Sequence, residues 1–137
     1  MESKKTRFVV LVLSVLVFLT GIFFLYPEKI GVCMPTDREC VFAHAFTLGE
    51  PLTFGAIPLM LVAFILLFFS QEIFNTWKKF AIVYVPLAII FIVFQPVTCG
   101  SLICTNKESA TWMVGIGFLL ISLLIILYKK IRLLRQK

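Results

Sequence analysis

The chain has 137 residues, 61% of them hydrophobic and only 15% charged, with fifteen Phe. A soluble domain of this size has too little interior for that much apolar side chain, which excludes a water-soluble globular protein. The net charge of +6 does not mark a nucleic-acid binder either, because the thirteen Lys and Arg gather at the ends of apolar stretches instead of lying among stacking aromatics on one face.

Residues 8–26, FVVLVLSVLVFLTGIFFLY, are the first such stretch, and none of the nineteen is charged. As a helix they cover about 28 Å, close to the roughly 30 Å of a bilayer's hydrocarbon core. The preceding MESKKTR has the charge of a signal n-region. The apolar run is nevertheless too long for an h-region, and IFFLY holds no small-x-small cleavage site, so an uncleaved signal anchor is expected.

Three further uncharged stretches follow at 51–70, 80–97 and 111–128, each bounded by ionisable residues. In lipid every backbone polar group needs an internal partner, and no ten-residue alternating segments of barrel type occur, so all four are predicted to be helices. The expected fold is an all-α integral membrane protein, a single domain of four transmembrane helices in an up-down bundle. Pro58 and Pro86 each remove a backbone donor and are expected to kink their helices. Gly115 and Gly117 are two apart, so they do not form a GxxxG face, and Gly55, Ala56 and Ala63 mark the expected close approach. Tyr26, Trp77, Trp112 and Tyr128 fall at span ends, where amphipathic rings favour the head-group level.

The basic residues give the orientation. Ten of the thirteen lie in the N-terminal segment, the 71–79 connection and the 129–137 tail, while the connections 27–50 and 98–110 hold only Lys29, Arg38 and Lys107. By the positive-inside rule both termini are expected in the cytoplasm, the two larger loops outside, and the protein in the plasma membrane. The tail KKIRLLRQK suits a stop-transfer anchor against anionic head groups.

All four cysteines then lie on the outer side, Cys33 and Cys40 in the first loop and Cys99 and Cys104 in the second. An oxidising exterior is where paired cysteines persist as disulfides. Local pairing closes loops of eight and six residues, worth roughly 2 to 2.5 kcal/mol each, whereas a bridge such as Cys33 to Cys99 would close about 67 residues and contribute about 4 kcal/mol. Local pairs form more easily and cross-loop pairs stabilise more; two local bridges are expected.

Four helices, cytoplasmic termini and a cysteine pair in each outer loop resemble the DsbB type of membrane thiol oxidase. The resemblance implies electrons passing from a thioredoxin-like partner through Cys33, Cys40, Cys99 and Cys104 to a quinone near the outer helix ends, with Arg38 favouring a thiolate or meeting the quinone. That family's first pair is CxxC, whereas six residues separate Cys33 from Cys40 here. The wider spacing lacks the tight geometry that makes such a bridge easily reduced.

Cys33, Cys40 and His44 also read as C-x6-C-x3-H, three zinc-compatible ligands whose fourth would come from the other loop or from Glu50. The spacing matches no common zinc motif, so no metal is assigned and His44 is taken as an interfacial side chain. The segment 41–51 is apolar enough to dip into the interface as a re-entrant piece. Glu50 would then be an ionisable group at membrane depth, or else a carboxylate in water at a helix N-terminus. Gln95 is expected to make an interhelical or interfacial hydrogen bond.

There is no nucleotide loop, no HExxH, no nucleophile elbow and no mid-span charge for ion or proton transport. The expectation is a small non-enzymatic membrane protein without a cofactor, an accessory, scaffold or immunity-type partner of another membrane or extracytoplasmic protein. The quinone-dependent thiol oxidoreductase is the alternative, and a small dimeric exporter subunit the second alternative.

Overall fold

The computed structural model describes residues 2–96 and 106–135, with the side chains taken from Lys4 onward. Among these residues the chain is all-helical, and four of its helical stretches are long and apolar enough to cross a membrane. The elements are α1 (Glu2–Leu25), α2 (Arg38–His44), a π-helical stretch (Ala45–Gly49), α3 (Glu50–Leu67), α4 (Gln71–Val93) and α5 (Lys107–Arg135).

Helices extend well past the apolar spans. Hydropathy marks where a chain enters lipid, but backbone hydrogen bonding decides where a helix starts. The connection 71–79, expected as a loop, is the first part of α4, which begins after Ser70 in extended backbone. The loop 27–50 is irregular only as far as Asp37. That residue's carboxylate accepts the Cys40 N–H at 3.0 Å and caps α2.

From Arg38 to Leu67 the helix is continuous over thirty residues, so segment 41–51 is part of one long helix and does not turn back on itself as a re-entrant piece. At about 1.5 Å per residue it is about 45 Å long, more than the roughly 30 Å of a hydrocarbon core. Pro51 explains the π-helical stretch. It has no N–H to donate and its ring crowds the preceding turn, and the chain widens just before it, with the Glu50 N–H reaching back five residues to the Ala45 carbonyl.

Among the described residues, the seam between α1 and the Gly49–Leu67 stretch brings backbones closest at its glycines. A Cβ added to Gly21 would lie 2.5 Å from both the backbone N and the Oγ1 of Thr53, and one on Gly49 would lie 2.8 Å from the Leu25 backbone N. Small residues let two backbones approach to this degree, and dispersion then replaces a hydrophobic drive that lipid does not supply. Ala56 and Ala63 are buried as expected of close-approach positions, but a Cβ added to Gly55 would come no nearer than 3.9 Å to a Thr111 methyl.

At the opposite end of the seam Arg7 is buried. Its Nε and Nη2 donate to Gln71 Oε1 at 3.2 and 2.7 Å, its Nη1 donates to the Phe69 carbonyl, and its guanidinium lies 5.6 Å from the centre of the Phe74 ring. It thereby satisfies a carbonyl left free just past the end of α3, where the helix dipole is negative.

Trp77 corrects the interfacial expectation. It is 2% exposed, packs against Phe74 and Phe118, and its indole N–H donates to Ser122 Oγ at 3.0 Å. The fused rings go where their area is buried while the one donor still finds a partner. Further along the same pair of helices, the Tyr84 hydroxyl donates to the Val114 carbonyl at 2.9 Å. These two bonds align α4 against α5, and Val62, Leu66, Ile73, Phe74 and Ile126 complete the core around them.

Candidate functional site at the cysteine-bearing end

Residues 27–37 fold over the end of α1. Pro27 is fully buried, and its carbonyl accepts the N–H groups of Val32 at 3.1 Å and Cys33 at 3.3 Å, closing a turn through Gly31 at φ +75°. Only a residue without a Cβ takes that backbone readily. The turn delivers Cys33 to α2, where it is disulfide-bonded to Cys40 with the Cα atoms 5.8 Å apart. This is the local pairing. Cys99 and Cys104 lie outside the described residues.

Cys40 and His44 are four apart on one helix, so their side chains share a face. The His44 Nδ1 lies 3.7 Å from Cys33 Sγ and 3.8 Å from Cys40 Sγ, and donates to the Cys40 carbonyl at 3.0 Å. His44 is therefore part of the cysteine cluster, not a side chain merely resting among apolar neighbours. The three donor atoms lie within 4.8 Å of one another. Cys33 is 6% exposed while Cys40 and His44 are half-buried. Arg38 opens α2 and is exposed.

Among the described residues, the sequence candidates Glu50 and Gln95 do not join this cluster. Glu50 is not at a free helix N-terminus, because the helix runs through it. It is half-buried, and burial first and the Glu108 carboxylate of α5 second push its carboxyl above the usual carboxylate range. Gln95 follows the end of α4, with its backbone N–H on the Ile92 carbonyl.

Beneath this end lies a cavity of about 300 Å³ between α1, α3, α4 and α5, lined by residues that include Val17, Leu52, Pro58, Tyr84, Ile89 and Phe118. It forms because α3 and α4 scarcely touch, each being held instead by α5. The Pro58 ring sits against Gly115, where an added Cβ would come within 3.2 Å. The lining is almost wholly apolar. Its hydroxyls, Tyr84 and Thr111, are both bonded to backbone carbonyls. Sequence reasoning did not find this cavity; the available signal was the combination of Gly55, Pro58 and Gly115 on facing helices.

No family model matches the chain, and neither a curated protein nor a solved structure does.

Proposed function

We propose that the chain is a non-enzymatic accessory protein of the plasma membrane. Its four helices form an up-down bundle with both termini in the cytoplasm, and its outer end presents a bridged cap to a membrane or extracytoplasmic partner protein. The observation that carries this reading is the Cys33–Cys40 bridge. By bonding a buried sulfur to α2 it fixes residues 27–37 as a rigid surface beyond the spans, worth about 2.5 kcal/mol for an eight-residue closed loop. The apolar cavity with its satisfied hydroxyls supports the same reading, since it offers no polar path to an exported solute.

Crosslinking in native membranes followed by affinity purification tests it. A specific protein should copurify with the wild-type chain and be lost on joint Cys33→Ser and Cys40→Ser substitution while the bundle stays folded. Retention of the partner by that variant would remove the cap from the interface. Orientation is checked in a cysteine-free background: an impermeant maleimide should label Met34→Cys in intact cells and Lys5→Cys only after lysis.

The thiol oxidoreductase is kept as a second reading because His44 stands beside both sulfurs, where an imidazolium would favour a departing thiolate. Acid trapping of thiols in growing cells separates the two. A bridge that stays oxidised fits the accessory protein, and mixed disulfides with a thioredoxin-like partner fit the oxidoreductase.

A further inference from the structure

We infer that the cap is held closed in two redox states, by the Cys33–Cys40 bond when oxidised and by a bound thiophilic metal ion, zinc(II) or a metal of similar preference, when reduced. The placement of His44 carries the inference. In a tetrahedral site with metal–sulfur bonds of about 2.3 Å and a metal–nitrogen bond of about 2.0 to 2.1 Å, sulfur and nitrogen ligands stand about 3.6 Å apart and two sulfurs about 3.8 Å apart. The His44 Nδ1 already lies 3.7 and 3.8 Å from the two sulfurs. The sulfurs have to part, and the His44 ring has to turn its Nδ1 from the Cys40 carbonyl toward them.

The scaffold suits that movement. Cys40 and His44 are one helical turn apart on α2, whose first turn is held by the Asp37 cap, so two of the ligands keep their relative positions on rigid backbone. Cys33 is on the irregular segment and supplies the freedom to shift. His44 now donates its Nδ1–H to the Cys40 carbonyl; with the proton moved to Nε2 that bond is lost, and a turn of the ring frees the Nδ1 lone pair to face the sulfurs. Three protein ligands leave a fourth position open to water or a partner's group, as in zinc sites that are not closed structural ones.

The chemistry balances with a dithiol reductant of the thioredoxin class. Its two thiols join as a disulfide and give up two electrons and two protons. The Cys33–Cys40 bond breaks and each sulfur takes one proton, and the incoming metal ion displaces both protons as it binds the thiolates. The bridge of the accessory protein is thus replaced by a metal clip, and the cap need not unfold under reducing conditions.

The test uses the full chain in mild detergent, reduced anaerobically with a phosphine, freed of reductant and titrated with Co²⁺ and then Zn²⁺, alongside the oxidised protein. A Cys99→Ser, Cys104→Ser variant is titrated in parallel. We expect one ion per chain, a thiolate-to-cobalt charge-transfer band in both reduced proteins, and affinity at least about 100-fold above that of the oxidised chain. His44→Ala in the reduced state should weaken binding by about 10- to 100-fold, and Cys40→Ser should remove the two-thiolate band. The inference is overturned if the reduced chain binds no more tightly than the oxidised one. It is equally overturned if binding disappears in the Cys99→Ser, Cys104→Ser variant, or if His44→Ala leaves affinity unchanged. Helical circular dichroism on each sample shows that the variants are folded, so loss of binding is not loss of the bundle.

Discussion

The α-carbon of Gly21 faces Thr53 so closely that a single added methyl would fall 2.5 Å from both the backbone N and the hydroxyl oxygen of that residue. The Thr53 hydroxyl is not free to turn away, since it donates to the Gly49 carbonyl at 2.7 Å, and Gly49 is itself wedged against Phe24 and Leu25. One seam therefore fixes both the distance between α1 and α3 and the position of the cap above them.

Gly21→Ala is expected to force these backbones apart and destabilise the folded protein by about 1 to 3 kcal/mol, the range for overpacking a site that cannot relax. Gly55→Ala serves as the control, because a Cβ added there would come no nearer than 3.9 Å to a Thr111 methyl, an ordinary contact. Unfolding in a denaturing-detergent titration, followed by circular dichroism, should place the first variant well below wild type and the second close to it. Equal effects from the two would mean that the seam is not the tight point of the fold.

The Trp77–Ser122 bond predicts a measurable coupling. Trp77→Phe leaves the buried Ser122 hydroxyl without its donor, and Ser122→Ala leaves the indole N–H without an acceptor, so each single change should cost about 1 to 3 kcal/mol. In the double variant neither orphan remains. The cycle should return an interaction of about 0.5 to 1.5 kcal/mol, and strict additivity would show that the bond contributes nothing beyond packing.

These two residues also show what the sequence could and could not disclose. The four spans were legible because lipid demands some twenty apolar residues whatever the tertiary structure. The pairing of Cys33 with Cys40 was legible as the shorter closure. Trp77 was misplaced because an aromatic at a span end looks the same whether its ring faces head groups or a neighbouring helix; only the serine forty-five residues later decides it. Gly21 was passed over because a glycine in an apolar run reveals its purpose only through the residue opposite. His44 lacked a recognisable motif, since C-x6-C-x3-H becomes a cluster only once Asp37 starts a helix three residues before Cys40.

Glu50 and Glu108 predict a stabilising substitution. Burial first, and the Glu108 carboxylate across the α3–α5 contact second, disfavour the charged form of Glu50, and both costs are relieved when that charge is removed. Glu50→Gln should raise the thermal midpoint in detergent, by about 0.5 kcal/mol or less in free energy given the partial exposure. The part due to Glu108 should shrink as salt is added and be absent in a Glu108→Gln background, while the larger part due to burial persists in both. A loss of stability in the single variant would show that the Glu50 carboxylate has a stabilising partner.

Arg7 separates charge from geometry. As one of three basic residues before the first span it contributes to the positive-inside signal, but Lys4 and Lys5 remain when it is changed, so insertion should be unaffected. Its buried guanidinium does more, bridging Gln71 and the Phe69 carbonyl with three N–H donors. Arg7→Ala should therefore cost about 2 to 3 kcal/mol by removing charge-assisted bonds and leaving a carbonyl unsatisfied at the end of α3. Arg7→Lys keeps the charge yet is a point donor on a flexible stem, unable to hold both acceptors in one plane, and should recover less than half of that loss. Gln71→Ala, which spares the Phe69 bond, should fall between wild type and Arg7→Ala. Denaturing-detergent titrations of the three variants decide the matter: if Arg7→Lys matches wild type, charge alone accounts for Arg7 and the fork geometry is incidental.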